Sequence, residues 1–225
     1  MVLPGLLGDG PGTLNEALMR DLDVLMEARE SDGPTPHVVE SGSLGDLVAH
    51  PPVVDKVTQI MEQYGNQRTD FALHHIHAVR QDAGTGPSNW HQVRRRSPCA
   101  SASLSLSGTV VAQDYEQNPQ VDRENLMVHV FFYCNGLDGA VGDLMTLPKS
   151  QYSVMERGGF QNLWKSERLP GSVFFGEGNP LPPGSAVIVH SALMHGRDDK
   201  PGGEGKPRYF IDSSYCQPCA HTPCS

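Results

Sequence analysis

Histidine is the residue type in this chain with the most chemistry to offer. There are ten, and an imidazole can ligate a metal, move a proton near neutral pH, or simply satisfy a polar core. Three segments stand out: Asn89-Trp90-His91-Gln92-Val93, His190-Ser-Ala-Leu-Met-His195-Gly196, and Pro207-Arg208-Tyr209-Phe210. A further group, His74, His75 and His77, lies on a run with strand character. Residues two apart on a strand face the same side. A three-histidine metal site using His75 and His77 is therefore open if that side is interior; the alternative is a set of surface or core-polar residues. No histidine is followed two residues later by Asp or Glu. At the C-terminus, Cys216, Cys219, His221 and Cys224 have the composition of a tetrahedral zinc site. The same Cys-x-x-Cys reads equally as a redox pair or as part of a loose tail. Arg94-Arg-Arg96 reads as a solvated loop or as a recruiting patch for an acidic substrate.

These residues need elements to hold them. Thr13-Leu-Asn-Glu16 has the form of a capping box, with Leu18, Leu22, Leu25 and Met26 following at helical spacing. Leu47 to Tyr64 reads as a second helical segment, and His50-Pro51-Pro52 suits a first turn. After Gly65 the texture changes to strands: Phe71 to Val79, Ala102 to Val111, Met127 to Cys134, Ala186 to His190 and Arg208 to Tyr215. Gly and Pro punctuate them at 84–87, 135–136, 138–139, 182–184 and 201–203. Helices first and strands after predict a helical flank on an antiparallel barrel or jelly roll.

Composition narrows the function classes. The chain has 225 residues with 24 Gly and 18 Pro, which disfavours a long-helix bundle. Its net charge of −9 argues against broad nucleic-acid binding. No apolar run approaches the ~18 residues of a membrane span. The N-terminal residues lack a basic region, so no secretory signal is expected. Five cysteines are too few for a disulfide scaffold, and a reducing, cytoplasmic compartment is the expectation. No Gly-x-Ser-x-Gly elbow, phosphate-binding Gly-Lys-Ser/Thr loop or His-Glu-x-x-His is present.

The order and spacing of the segments resemble the phytanoyl-CoA dioxygenase family of iron(II)/2-oxoglutarate oxygenases. His50-Pro51 and the helix after it resemble the family's pre-barrel helix. Trp90-His91-Gln92 resembles the start of its Trp-His-Gln-Asp motif. Gly142-Asp-Leu-Met-Thr-Leu-Pro148-Lys-Ser150 resembles its Gly-to-Pro-Gly-Ser turn, and Pro183 to Gly196 the strand and loop of the distal histidine. The resemblance implies a mainly β chain with flanking α-helices and a double-stranded β-helix (jelly-roll, cupin-like) core. One domain over 1–225 is expected, with a helical flank at 1–65, the core at 66–215 and the Cys-containing tail at 216–225. It implies that His91 and His195 ligate Fe(II), with His190 the rival of His195. It implies that Arg208 binds 2-oxoglutarate, with Arg197 its rival, and that the reaction oxidises a small organic substrate. Two imidazoles and one carboxylate on one face of iron leave three positions open.

One departure bears on activity. The family's Asp is replaced here by Val93, which has no lone pair. Several readings follow. Another residue supplies the third ligand, with His75, His77, Asp82, Asp114 and Asp143 as candidates. Or the protein is a catalytically impaired relative that binds a ligand or partner. Or a halide takes the vacated position, as in related halogenases, though valine crowds it. A cupin-like three-histidine metalloenzyme would leave Arg208 unexplained.

Overall fold

The computed structural model describes residues 1–30, 42–65, 69–81, 88–91, 126–139, 143–152, 168–198 and 207–217. Three helices precede most of the strands: α1 Leu14–Glu30, α2 Gly42–Val48 and α3 Pro51–Tyr64. The Thr13 hydroxyl accepts from Glu16 N–H at 3.3 Å, while the Glu16 carboxylate accepts from Gly12 N–H at 2.7 Å. The cap thus closes one residue earlier than a standard capping box. The segment expected to be one helix over 47–64 is two. Proline disfavours helical geometry in the residue before it, and His50 accordingly sits at ψ 117° between α2 and α3.

Among the described residues nine strands form two sheets, β1 before the helices and the other eight after them. They are β1 Val2–Leu3, β2 Ala72–Gln81, β3 Ser88–His91, β4 Met127–Tyr133, β5 Leu144–Thr146, β6 Val173–Phe175, β7 Ser185–His190, β8 His195–Arg197 and β9 Arg208–Cys216. The larger sheet has the order β1-β7-β4-β9-β2 and the smaller β3-β8-β5-β6. Every pairing is antiparallel. From β2 onward the chain passes back and forth between the two sheets, with only β5 and β6 consecutive in one of them, which is jelly-roll winding. The mainly β core with flanking helices matches the expectation. The strand expected over Ala102 to Val111 lies outside the described residues, as do Arg94-Arg-Arg96 and Val93.

All seven residues of β4 are buried, because the larger sheet is covered on both faces. Val128, Val130, Phe132 and Cys134 pack under the helices against Leu18, Leu22, Leu47 and Met61. Phe131 and Tyr133 point the other way, with Val187, Val189 and Leu144. Full burial of each such apolar side chain contributes about 1.5–3 kcal/mol. Strand alternation thus divides the sheet into a helix-facing side and an interior side, and the interior side carries the polar groups. Among the described residues no helix is long and apolar enough to cross a membrane.

Candidate functional site

The interior of the larger sheet is built in rungs. His75, Ser214 and His129 form one, His77, Asp212 and Phe131 the next, then Val79, Phe210 and Tyr133, and finally Gln81 with Arg208. Across the interior, the smaller sheet sets His91 opposite His195, and His195 opposite Thr146. The two imidazole-bearing residues, 104 positions apart in the chain, thus occupy one antiparallel rung.

His195 is buried. Its Nδ1 lies 2.9 Å from the Leu193 carbonyl. A carbonyl only accepts, so Nδ1 carries a proton, and in the neutral ring Nε2 holds the lone pair. This backbone clamp is the usual way an imidazole is oriented for a metal. The Phe131 ring packs 5.1 Å from the His195 ring and joins the two sheets. Trp90, next to His91, is wholly buried with Met145 and Met194 and anchors β3. His190, the rival histidine, stands in the larger sheet opposite Val128, a helix-facing position. Its Nδ1 accepts from Ala192 N–H at 3.0 Å, and burial holds its pKa below the ordinary value.

Arg208 opens β9 inside the roll, buried. Its guanidinium carbon lies 4.6 Å from the Phe210 ring centroid and 5.4 Å from that of Tyr133. Such aromatic faces stabilise a cation. Its Nη1 donates to Gln81 Oε1 at 3.1 Å, and among the described residues its buried Nε has no hydrogen-bond partner. Burial lowers its pKa, against the opposing influence of Tyr133 and Asp143. Burial likewise pushes the Tyr133 phenol up to about 12. A buried cation with an orphaned donor is suited to an incoming carboxylate.

The other candidates are placed as follows. His75 is half-buried, with Nδ1 2.9 Å from Ser214 Oγ, and His77 is exposed. Burial lowers the His75 pKa; Asp212 opposes this, while His129 and His77 add to it. Both histidines lie on β2, in the sheet opposite the His195 rung. Asp143 sits at the Arg197 end of the smaller sheet, where its Oδ1 accepts from Gly139 N–H at 3.0 Å and its backbone carbonyl from Asp198 N–H at 2.9 Å. Burial raises its pKa. Asp82, Asp114, Cys219, His221 and Cys224 lie outside the described residues. Cys216 ends β9 and is half-buried. Among the described residues no cluster of three or more His, Cys, Asp or Glu could hold a metal.

Sequence reasoning missed two parts of the interior. One is His129, wholly buried, with Nδ1 2.8 Å from Asp212 Oδ1 and Nε2 unpartnered among the described residues. A single histidine in the apolar run Met127 to Tyr133 was the signal for it. The other is Gln81, which joins Arg208 to Arg197; neither spacing nor composition marks it.

No protein-family profile matches the chain, and no curated protein matches it in sequence. Solved structures do match in fold. SnoN, a non-haem α-ketoglutarate-dependent epimerase from nogalamycin biosynthesis, is 11% identical with a TM-score of 0.57, over 96% of this chain and 77% of that one. HygX from Streptomyces hygroscopicus, solved with nickel and 2-oxoglutarate bound, is 17% identical with a TM-score of 0.55, over 96% of this chain and 80% of that one. ThoJ, a non-haem monooxygenase in complex with nickel, is 14% identical with a TM-score of 0.56, over 91% of this chain and 71% of that one. The interleaved sheets and these likenesses together give the chain the double-stranded β-helix fold on which such non-haem enzymes are built.

Proposed function

We propose that the chain is an iron(II)/2-oxoglutarate-dependent oxygenase acting on a small organic substrate. The observation that carries this reading is the pairing of one rung, His91 opposite His195, with a buried Arg208 further along the same interior. The donor chemistry fits. Two imidazoles suit Fe(II), and the carbonyl-held Nδ1–H of His195 presents the correct nitrogen. The orphaned Nε of Arg208 fits the distal carboxylate of a 2-oxo acid. Iron with a 2-oxo acid would supply the oxidising chemistry. The protein's own residues do the rest: His91 and His195 hold the ion, Arg208 orients the co-substrate, and Phe131, Tyr133 and Phe210 exclude water around it. That SnoN is described as α-ketoglutarate-dependent and HygX as holding 2-oxoglutarate supports the reading.

The test is anaerobic titration with Fe(II) and 2-oxoglutarate, followed by the visible charge-transfer band of the chelate. A band abolished by both His195→Ala and Arg208→Ala is the expected result. No band and no retained metal at high iron would overturn it. That outcome favours a second reading, a ligand-binding relative without catalysis, which Val93 in place of the usual Asp supports.

A further inference from the structure

The interior of the roll has two sides about the level of His195. Along β9, Arg208, Phe210, Asp212 and Ser214 follow one another on the interior face, each about 6.5 Å from the next. The Phe131 ring, whose rung holds Asp212, packs with its centroid 5.1 Å from that of the His195 ring. Arg208 therefore stands about 13 Å along the strand on one side of this level. The rung of Ser214 and His129 stands one step to the other side. A co-substrate that reaches from His195 toward Arg208 fills the first side. The second side is left for the molecule to be oxidised, and its buried polar group is His129.

His129 is wholly buried. Ser214 and Val189 lie opposite it on the neighbouring strands, and its ring is 6.1 Å from the His75 ring and 6.0 Å from the Phe131 ring. Its Nδ1 lies 2.8 Å and 3.0 Å from the two Asp212 carboxylate oxygens. An ionised carboxylate only accepts, so Nδ1 carries a proton and Asp212 fixes the orientation of the ring. Nε2 has no hydrogen-bond partner among the described residues. The Ser214 hydroxyl does not serve it; that oxygen lies 2.9 Å from His75 Nδ1 and 3.3 Å from His74 Nδ1. Unsatisfied buried polar atoms are few in native interiors, because desolvation disfavours them. Here one nitrogen is held by a carboxylate while the other is left open beside the presumptive path of a ligand.

The chemistry of the missing partner follows from its surroundings. Nε2 accepts a hydrogen bond in the neutral ring and donates one in the charged ring, and a hydroxyl can meet it in either state. The Asp212 carboxylate behind the ring disfavours an anionic group. Val189 and Phe131 beside it are apolar. We propose that His129, oriented by Asp212, is the polar anchor for the substrate, with Nε2 hydrogen-bonded to a hydroxyl of an otherwise uncharged molecule. This rests on the oxygenase reading and gives its substrate a chemical class.

The experiment uses the full chain loaded with Ni(II), an inert stand-in for iron, and 2-oxoglutarate. Ligand-observed NMR titrations compare phenol with toluene and benzyl alcohol with ethylbenzene, pairs in which a methyl replaces the hydroxyl. In at least one pair the hydroxyl compound is expected to bind about tenfold tighter or more, because a site built for a hydroxyl rejects the analogue that lacks it. His129→Asn sets an amide N–H where Nδ1 was, so it keeps a donor for Asp212 and has no atom at Nε2. The preference should fall to about one there, with Ni(II) and 2-oxoglutarate affinity unchanged. His129→Leu with Asp212→Leu removes both polar partners together and leaves no unpaired charge. It carries the same expectation if His129→Asn does not fold. Equal binding within both pairs, no binding of any of the four compounds, or a preference that survives loss of the ring would overturn the anchor. Each of these leaves the oxygenase reading standing while the parent binds 2-oxoglutarate with Ni(II). A parent that does not bind 2-oxoglutarate in the presence of Ni(II) removes that reading and the anchor with it.

Discussion

Asp212 holds His129 from the neighbouring strand, with its Oδ1 2.8 Å from the imidazole Nδ1 and the histidine wholly buried. An imidazole N–H donating to a carboxylate makes a charge-assisted bond, stronger than one between two uncharged groups. Asp212→Asn replaces the anionic acceptor with an amide, and we expect it to cost about 1–3 kcal/mol. Urea unfolding of the two proteins measures this. A difference near zero would mean that the pair contributes nothing to the core.

Acid should weaken the fold through two half-buried histidines. Burial holds His190 below its ordinary pKa of 6.5, and His75 is held down in the same way. Below about pH 6.5 the unfolded chain takes up protons that the folded chain resists. Stability is then lost as pH falls from that point toward the folded-state values. His190→Gln should flatten the decline between pH 7 and pH 5.5 in denaturant titrations. Parallel pH profiles for parent and variant would refute the assignment.

Gly176 lies at φ +155°, and a Cβ there would overlap the Asp143 carboxylate. Gly176→Ala forces either the turn or the Asp143 side chain to move, at an expected cost of about 1–3 kcal/mol. The melting temperature should fall. Asp143→Ala in the same background should recover part of the loss, since the clash is then relieved. Absence of recovery would place the strain in the backbone instead.

Trp90 precedes His91 and is wholly buried. Trp90→Ala should cost about 3–5 kcal/mol. If β3 depends on that anchor, Ni(II) affinity should fall as well, because His91 is set opposite His195 by the β3–β8 pairing. Retained metal affinity in a destabilised variant would show that β3 is positioned by something else.

The larger sheet was far more legible in the amino-acid sequence than the smaller. β2, β4, β7 and β9 are long enough for β-branched and aromatic residues to declare themselves. In β5, β6 and β8, three residues each, no period can show. His195 and Arg208 emerged through a family resemblance, and no local pattern in His195-Gly-Arg197 announces a strand. The break between α2 and α3 is legible in Pro51, which marks a helix start and, through the residue before it, the helix end that must precede it. Gln81 and Arg197 come together across 116 residues. Contact at that range depends on how two sheets close, which single-sequence reasoning does not reach. The same holds for Asp212, an acidic residue in an apolar strand whose reason is His129 on the strand beside it.

Full burial of β4 has an evolutionary consequence. Even-numbered positions from Val128 to Phe132 are committed to the helices, and Phe131 and Tyr133 to the interior. A strand so divided has no neutral positions on which drift can accumulate. Any new substrate preference acquired through β4 would have to come from 129, 131 and 133, at fixed volume, while the residues between them stand still. Diversity is therefore cheaper at the rim of the roll than in its central strand, and a mutational library that spares 128, 130 and 132 would keep far more of its members folded.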